Sequence, residues 1–190
     1  RIAGELFPNI TTMSDLDKVK AVNDYIVLNT TYSTETAASP HAAYAILKEG
    51  KGVCQAYALL AYRLLKEAGL DAYYVSGEAG GGPHGWNLVK VDGKWYHLDT
   101  TWNDPVFNAS AGDMSDFIMY KYFLVPDSII TKDHKIDDNN YPVATDNAFA
   151  PLHTVETPVQ VGNTLYFPNR NHDIQLYKLD LNNLAAGATQ

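Results

Sequence analysis

Cys54 is the single cysteine among 190 residues, and its setting is that of a reactive thiol. Cysteine attacks as the thiolate, and the first turn of a helix favours that form, because unpaired N–H groups and the macrodipole both stabilise negative charge there. Gly52-Val53 leads into Cys54 and then into Gln55–Ala68, a run of helix formers and apolar residues stopped by Gly69. The thiol therefore stands at a helix tip. By itself this pattern equally describes a free cysteine packed into a core, where such residues are common.

A thiol nucleophile needs a base to take its proton and an acid to fix the tautomer of that base. Asp92-Gly93, between two alternating runs, is the strongest short hairpin signal in the chain. With these two residues as the turn, Val91 faces Lys94, Trp86 faces Asp99 and His84 faces Thr101. His84 and Asp99 then share one face as diagonal neighbours, with Cβ atoms ~7–8 Å apart or somewhat less, within reach of an imidazole–carboxylate hydrogen bond. His97 lies on the same face, two residues before Asp99. His84 is preferred as the base because Gly80-Gly81-Gly82-Pro83 forms an open, flexible entrance before it. His97, between Trp95 and Tyr96, reads as an ordinary strand histidine.

The elements that must hold these groups are legible in outline. Ser14 caps a helix through about Leu28, with Leu16, Val19, Val22 and Ile26 on one stripe. Ser39-Pro40 opens a second helix that runs to Glu49 and stops at Gly50. The Cys54 helix is apolar nearly all round and is expected to be central and buried. Strands follow at Ala72–Ser76, Trp86–Val91 and Lys94–Thr101, then a mixed stretch over Asp113–Val125 and a polar run over Thr131–Asn140. The class is α+β, a central helix carrying the nucleophile at its N-terminus against an antiparallel sheet. Residues 1–150 read as the catalytic domain. Residues 151–190, with short strands at Pro158–Val161, Thr164–Phe167 and Ile174–Leu181 around turns at Gly162-Asn163 and Asn169–His172, read as a truncated β unit of a following domain. A unit that small must dock its apolar faces or stay partly disordered. The opening at Arg1, without Met or signal peptide, is read as a segment of a longer protein.

Composition excludes several classes. Lys and Arg number 14 against 22 Asp and Glu, a net charge of −8, with no basic cluster to neutralise phosphates, so nucleic acid is not an expected partner. No apolar run approaches the roughly 18 residues of a membrane span, so no membrane insertion is expected. One cysteine allows neither an internal disulfide nor a multi-cysteine zinc site. The six histidines show no i, i+4 pair. Gly77–Gly82 lacks a phosphate loop's ending and context. The acidic run Asp133–Asp138 lacks the spaced ligands of a calcium loop and reads as solvated. Neither metal nor cofactor is expected.

Three stretches together resemble the motif set of the transglutaminase-like superfamily: Gly52-Val53-Cys54-Gln55-Ala56-Tyr57, Pro83-His84-Gly85-Trp86-Asn87-Leu88-Val89, and Asp92-Gly93-Lys94-Trp95-Tyr96-His97-Leu98-Asp99-Thr100-Thr101-Trp102-Asn103-Asp104-Pro105. They occur in the family's order, and the likeness runs from about Ser14 to Pro142, including Tyr122-Phe123-Leu124 and His134-Lys135-Ile136-Asp137. It is closest to bacterial secreted or cell-surface members. The resemblance implies a papain-like core with a β-rich tail, with Cys54 as nucleophile, His84 as base and Asp99 as orienter. It also implies acyl chemistry at amide bonds of a peptide or protein substrate, cell-wall peptides included, and an extracellular or cell-surface location. The backbone N–H of Cys54 is the first oxyanion donor. Gln55 and Tyr44 are candidates for the second, and Trp86 for substrate positioning. Two positions depart from the family pattern: Gly85 replaces a usual Ala, and Asn103 stands where Asp is common. The acyl acceptor, water or amine, is open. A binding or structural module of a surface protein that keeps the fold without turnover is the alternative, and the intact set of Cys54, His84 and Asp99 favours the enzyme.

Overall fold

The computed structural model describes residues 2–105, 117–138, 140–169 and 175–190. Helix α1 (Ile2–Leu6) precedes α2 (Asp15–Leu28), whose cap forms as the sequence predicts: Ser14 Oγ accepts the N–H of Asp17 at 3.1 Å. A two-residue strand β1 (Thr31–Tyr32) follows, then helix α3 (Ala43–Glu49) and strand β2 (Lys51–Gly52). The second helix thus begins three residues later than Ser39-Pro40 suggests. The Pro40 carbonyl accepts the N–H of Val53 at 2.9 Å instead, tethering the chain just before Cys54.

Helix α4 (Cys54–Glu67) buries Ala56, Tyr57, Leu60, Ala61, Leu64 and Leu65. Each large side chain removed from water contributes about 1.5–3 kcal/mol before entropy is counted, which makes α4 the anchor of the fold. It packs on a five-stranded antiparallel sheet ordered β6-β5-β4-β3-β7, built from β3 (Ala72–Ala79), β4 (Gly82–Val91), β5 (Lys94–Leu98), β6 (Phe123–Val125) and β7 (His134–Ile136). The Asp92-Gly93 turn has φ of 49° and 82°, and the pairing Val91↔Lys94 through Asn87↔Leu98 is the register expected from it.

Alternation sorts the sheet into two faces. Ala72, Val89, Val91, Tyr96 and Leu98 join the main core with α4, and Asn87 donates from Nδ2 to the Ala58 carbonyl of that helix at 3.0 Å. Val75, Trp86 and Leu88 enter a second cluster with Tyr122, Val125 and Ile130, the last on helix α5 (Asp127–Ile130).

Two expectations are corrected here. The glycine run is no open entrance: Gly80 and Gly81, with φ of 61° and 85°, form the tight turn of a β3–β4 hairpin paired to Ala79↔Gly82. Nor is the acidic run Asp133–Asp138 simply a solvated loop. It contains β7, which pairs with the far end of β3 (Gly77↔Ile136, Ala79↔His134) and buries His134. Periodicity misses it because only three residues pair.

Strands β8 (Val159–Val161), β9 (Thr164–Asn169) and β10 (Gln175–Asp180) form a separate antiparallel sheet in the order β10-β9-β8. Of the two outcomes open to this segment, docking is the one observed: Leu165, Phe167, Leu179 and Leu181 bury in the same contiguous core as Phe149, Leu152 and α4. Val159, Val161 and Leu176 stay exposed. Of the turn expected at 169–172, all but Asn169 lies outside the described residues, as do Ile174 and residues 113–116 of the mixed stretch.

Candidate active site

Cys54 is the first residue of α4, after an extended Val53. Its approach is fixed from two sides. The parallel pairing of β1 with β2 places Tyr32 opposite Gly52, and Ser33 N–H donates to the Gly52 carbonyl at 2.9 Å. The thiol is only partly buried.

Four groups bear on this sulfur. His84 and the backbone N–H groups of Gly85 and Gln55 are three of them, and each lowers its pKa. The Tyr32 hydroxyl is the fourth, its own titration linked to that of the Cys54 thiol. Burial pushes the thiol up, but the hydrogen bond and charge of His84, helped by the two backbone donors, hold it below the ordinary thiol value. His84 Nε2 lies 2.7 Å from Asp99 Oδ2, which leaves Nδ1 for the sulfur. Burial alone would depress this imidazole, yet Asp99 and Cys54 together push it up to about 9. A lowered thiol beside a raised imidazole favours the thiolate–imidazolium pair.

Asp99 is fully buried, which disfavours its charged form. It stays well below the usual carboxylate range because His134 and His84 both bond Oδ2, at 3.0 and 2.7 Å. The N–H groups of Thr101 and Trp102 donate to Oδ1 at 3.0 and 3.1 Å. All the lone-pair directions of the carboxylate are engaged.

The two histidines weighed from sequence separate clearly. His97 Nδ1 accepts from Trp86 Nε1 at 3.0 Å, so its proton sits on Nε2 and is donated to Asp127 Oδ1 at 2.8 Å. Both nitrogens are committed, and burial lowers the affinity of the ring for a second proton. A third histidine, which the sequence places in the family likeness without a role, shares Asp99: His134 is 3% exposed and spans Asp99 and Asp133, 2.7 Å from the latter. His84, Asp99 and His134 present ligand-type atoms all within 4.8 Å of one another, a donor set able to hold a metal ion. Here those atoms are hydrogen-bonded to each other.

The positioning candidates fare unevenly. Gln55 offers its backbone N–H and is otherwise an exposed residue. Tyr44 is 58% exposed on α3 under the Lys48 ammonium, and the tyrosine found on the thiol is Tyr32 instead. Trp86 cannot touch a substrate. It is 0% exposed and stacks on His84, ring centroids 5.9 Å apart, so it buttresses the imidazole. No periodic pattern marks Tyr32, since its strand has two residues.

Both departures from the family pattern have local causes. A Cβ on Gly85 would lie 2.4 Å from the Tyr74 hydroxyl oxygen, so the neighbouring strand already fills the space an alanine would need. Asn103, fully buried, donates from Nδ2 to Asn23 Oδ1 at 2.9 Å and accepts the Tyr122 N–H at 2.8 Å. An aspartate could not make the first of these bonds.

The sequence model of the transglutaminase-like superfamily matches residues 5–100, which spans α1 to Asp99. The chain is 27% identical over 144 residues to mouse kyphoscoliosis peptidase and 26% identical to the human protein, covering 67% of this chain. It spans only 22% of the length of those relatives. Among solved structures, a TGase is 29% identical with a TM-score of 0.44, covering 53% of this chain and 32% of that one. A structure from Cytophaga hutchinsonii described as a candidate cysteine protease is 18% identical with a TM-score of 0.47, covering 77% and 53%. With the family match extending over half of its residues, and a thiol-tipped helix set against an antiparallel sheet, the chain belongs to the transglutaminase-like superfamily.

Proposed function

We propose that this chain is a thiol-dependent acyl-transfer enzyme acting at amide bonds of peptides or proteins. The observation that carries the reading is the buried His84–Asp99 pair, 2.7 Å apart, whose imidazole acts on the Cys54 thiol at the tip of α4 and lowers its pKa. In this scheme the Cys54 thiolate attacks the amide carbonyl, and the tetrahedral oxyanion is met by the Cys54 N–H at the tip of α4. Protonated His84 then gives its proton to the departing amine, leaving a thioester on Cys54. An incoming water or amine loses its proton to His84, attacks the thioester carbonyl and releases the thiolate. Asp99 holds the ring and its positive charge throughout.

Support for a peptide or protein substrate comes from family membership and from relatives named as peptidases. Both acceptors share the thioester, so the decisive experiment traps it. Activated acyl-peptide probes, including cell-wall stem peptides, should add one acyl group to intact protein as read by mass spectrometry, and Cys54→Ala and His84→Ala should abolish the adduct. Release by water alone identifies a peptidase or amidase, and release accelerated by added amine identifies a transglutaminase. An adduct that survives in Cys54→Ala, or none from any probe while iodoacetamide labels Cys54 as it would an ordinary thiol, overturns the reading.

A further inference from the structure

We propose that His134 is a positioning residue that acts through Asp99, resting on the catalytic reading above. Strand β7 brings it to the carboxylate from 35 residues further along the chain, beyond the stretch matched by the family model. Its Nε2 and that of His84 converge on the same oxygen, Asp99 Oδ2. Asp99 is fully buried, and such a carboxylate stays ionised only when its oxygens are met by donors. His134 supplies one of these donors, and it fixes where Oδ2 points and hence where His84 stands.

The remainder of its surroundings locks the ring. Nδ1 faces Asp133 Oδ1 at 2.7 Å, and Asp133 in turn accepts the Tyr122 hydroxyl. The rings of Trp102, Trp86, Tyr122 and His84 enclose it at centroid distances of 4.5, 5.1, 5.3 and 5.4 Å. The ring nitrogens of His134 are spent on Asp99 and Asp133, and it takes no part in bond making.

The test measures the rate of Cys54 alkylation by iodoacetamide against pH in the intact chain, so no substrate need be known. His134→Phe keeps the ring volume and removes the donor, and should slow labelling near pH 6 by about tenfold, the worth of one hydrogen bond to a charged group. The gap should close in alkali, where any thiol is ionised. His134→Gln, whose amide can donate to the same oxygen, should recover most of the rate. A His134→Phe profile that matches the unmutated protein, while His84→Ala slows labelling, overturns the positioning role and leaves the catalytic reading intact. Equal slowing in the Phe and Gln variants also overturns it, because the donor would then be irrelevant. An unmutated protein that labels like a free thiol removes both readings. Should His134→Phe fail to fold, long-range proton–nitrogen spectra of the unmutated protein decide: a proton on His134 Nε2 is required, and a bare Nε2 refutes the proposal.

Discussion

Gly85→Ala introduces one methyl group at a position whose backbone would accept it, since Gly85 is not among the residues with positive φ. The obstacle is Tyr74. The new Cβ would meet its hydroxyl oxygen at 2.4 Å, its Cζ at 2.9 Å and its Cε2 at 3.0 Å, whereas ordinary contact starts at 3.4 Å. Either the tyrosine retreats by about 1 Å or β4 does, and overpacking of this kind costs about 1–3 kcal/mol. Tyr74 is half-buried, and its carbonyl accepts the Tyr141 hydroxyl at 3.2 Å, so part of the displacement falls on β4. That strand carries the Gly85 N–H, one of the donors that hold the Cys54 thiol below its ordinary value. Loss of one such bond to a charged acceptor is worth about 1.5–3 kcal/mol, or roughly a 10- to 100-fold drop in thiolate population below neutrality. Thermal unfolding should fall by about 2–4 °C per kcal/mol lost, and iodoacetamide labelling near pH 6 should slow at least tenfold. Adding Tyr74→Ala should restore the labelling rate by vacating the space. A Gly85→Ala protein with unchanged unfolding temperature and unchanged labelling would refute the reasoning, because Tyr74 would then yield freely.

Three further outcomes are expected. Asp99→Asn should reduce turnover of an acyl-peptide by more than tenfold while leaving most Cys54 alkylation at alkaline pH, since the amide no longer stabilises a cationic His84; unaltered turnover would make Asp99 a packing residue. His97→Ala should cost about 1–3 kcal/mol in urea unfolding by stranding the buried Trp86 N–H, yet keep the labelling profile of Cys54; a collapse of labelling in a folded variant would contradict the division of labour between His84 and His97. Burial pushes the Asp104 carboxyl up to about 6, with the Tyr57 hydroxyl opposing in part. The folded chain therefore holds that proton more tightly than the unfolded chain, and stability should decline as pH rises from roughly 4 to 6, by up to about 3 kcal/mol. Asp104→Asn should remove that slope, and a slope that persists in urea titrations across this window would assign it elsewhere.

The helix–hairpin half of the site is legible in the sequence because each of its parts is local. The run of helix formers after Cys54 fixes α4, and Asp92-Gly93 fixes a two-residue turn whose register alone brings His84 and Asp99 to one face. Ser14 and Gly50 mark helix ends through backbone chemistry that the residue type carries by itself. What escapes is short and distant. Tyr32 and His134 sit on strands of two and three residues, too brief for alternation to register, and each is placed by pairing with a segment remote in sequence. The glycines at 80–82 misled for a different reason. Composition alone gives the same signal for an open loop and a tight turn, and only the pairing of β3 with β4 distinguishes them.

The late arrival of β7 has a consequence for synthesis. A chain emerging from the ribosome presents Cys54 first, then His84 and Asp99, and only afterwards the strand that closes over the carboxylate. Local helices and hairpins form as they emerge, whereas an edge strand must wait for its own residues. Until then Asp99 lacks the partner that His134 provides on Oδ2. The surroundings of the carboxylate are thereby complete only when the sheet is.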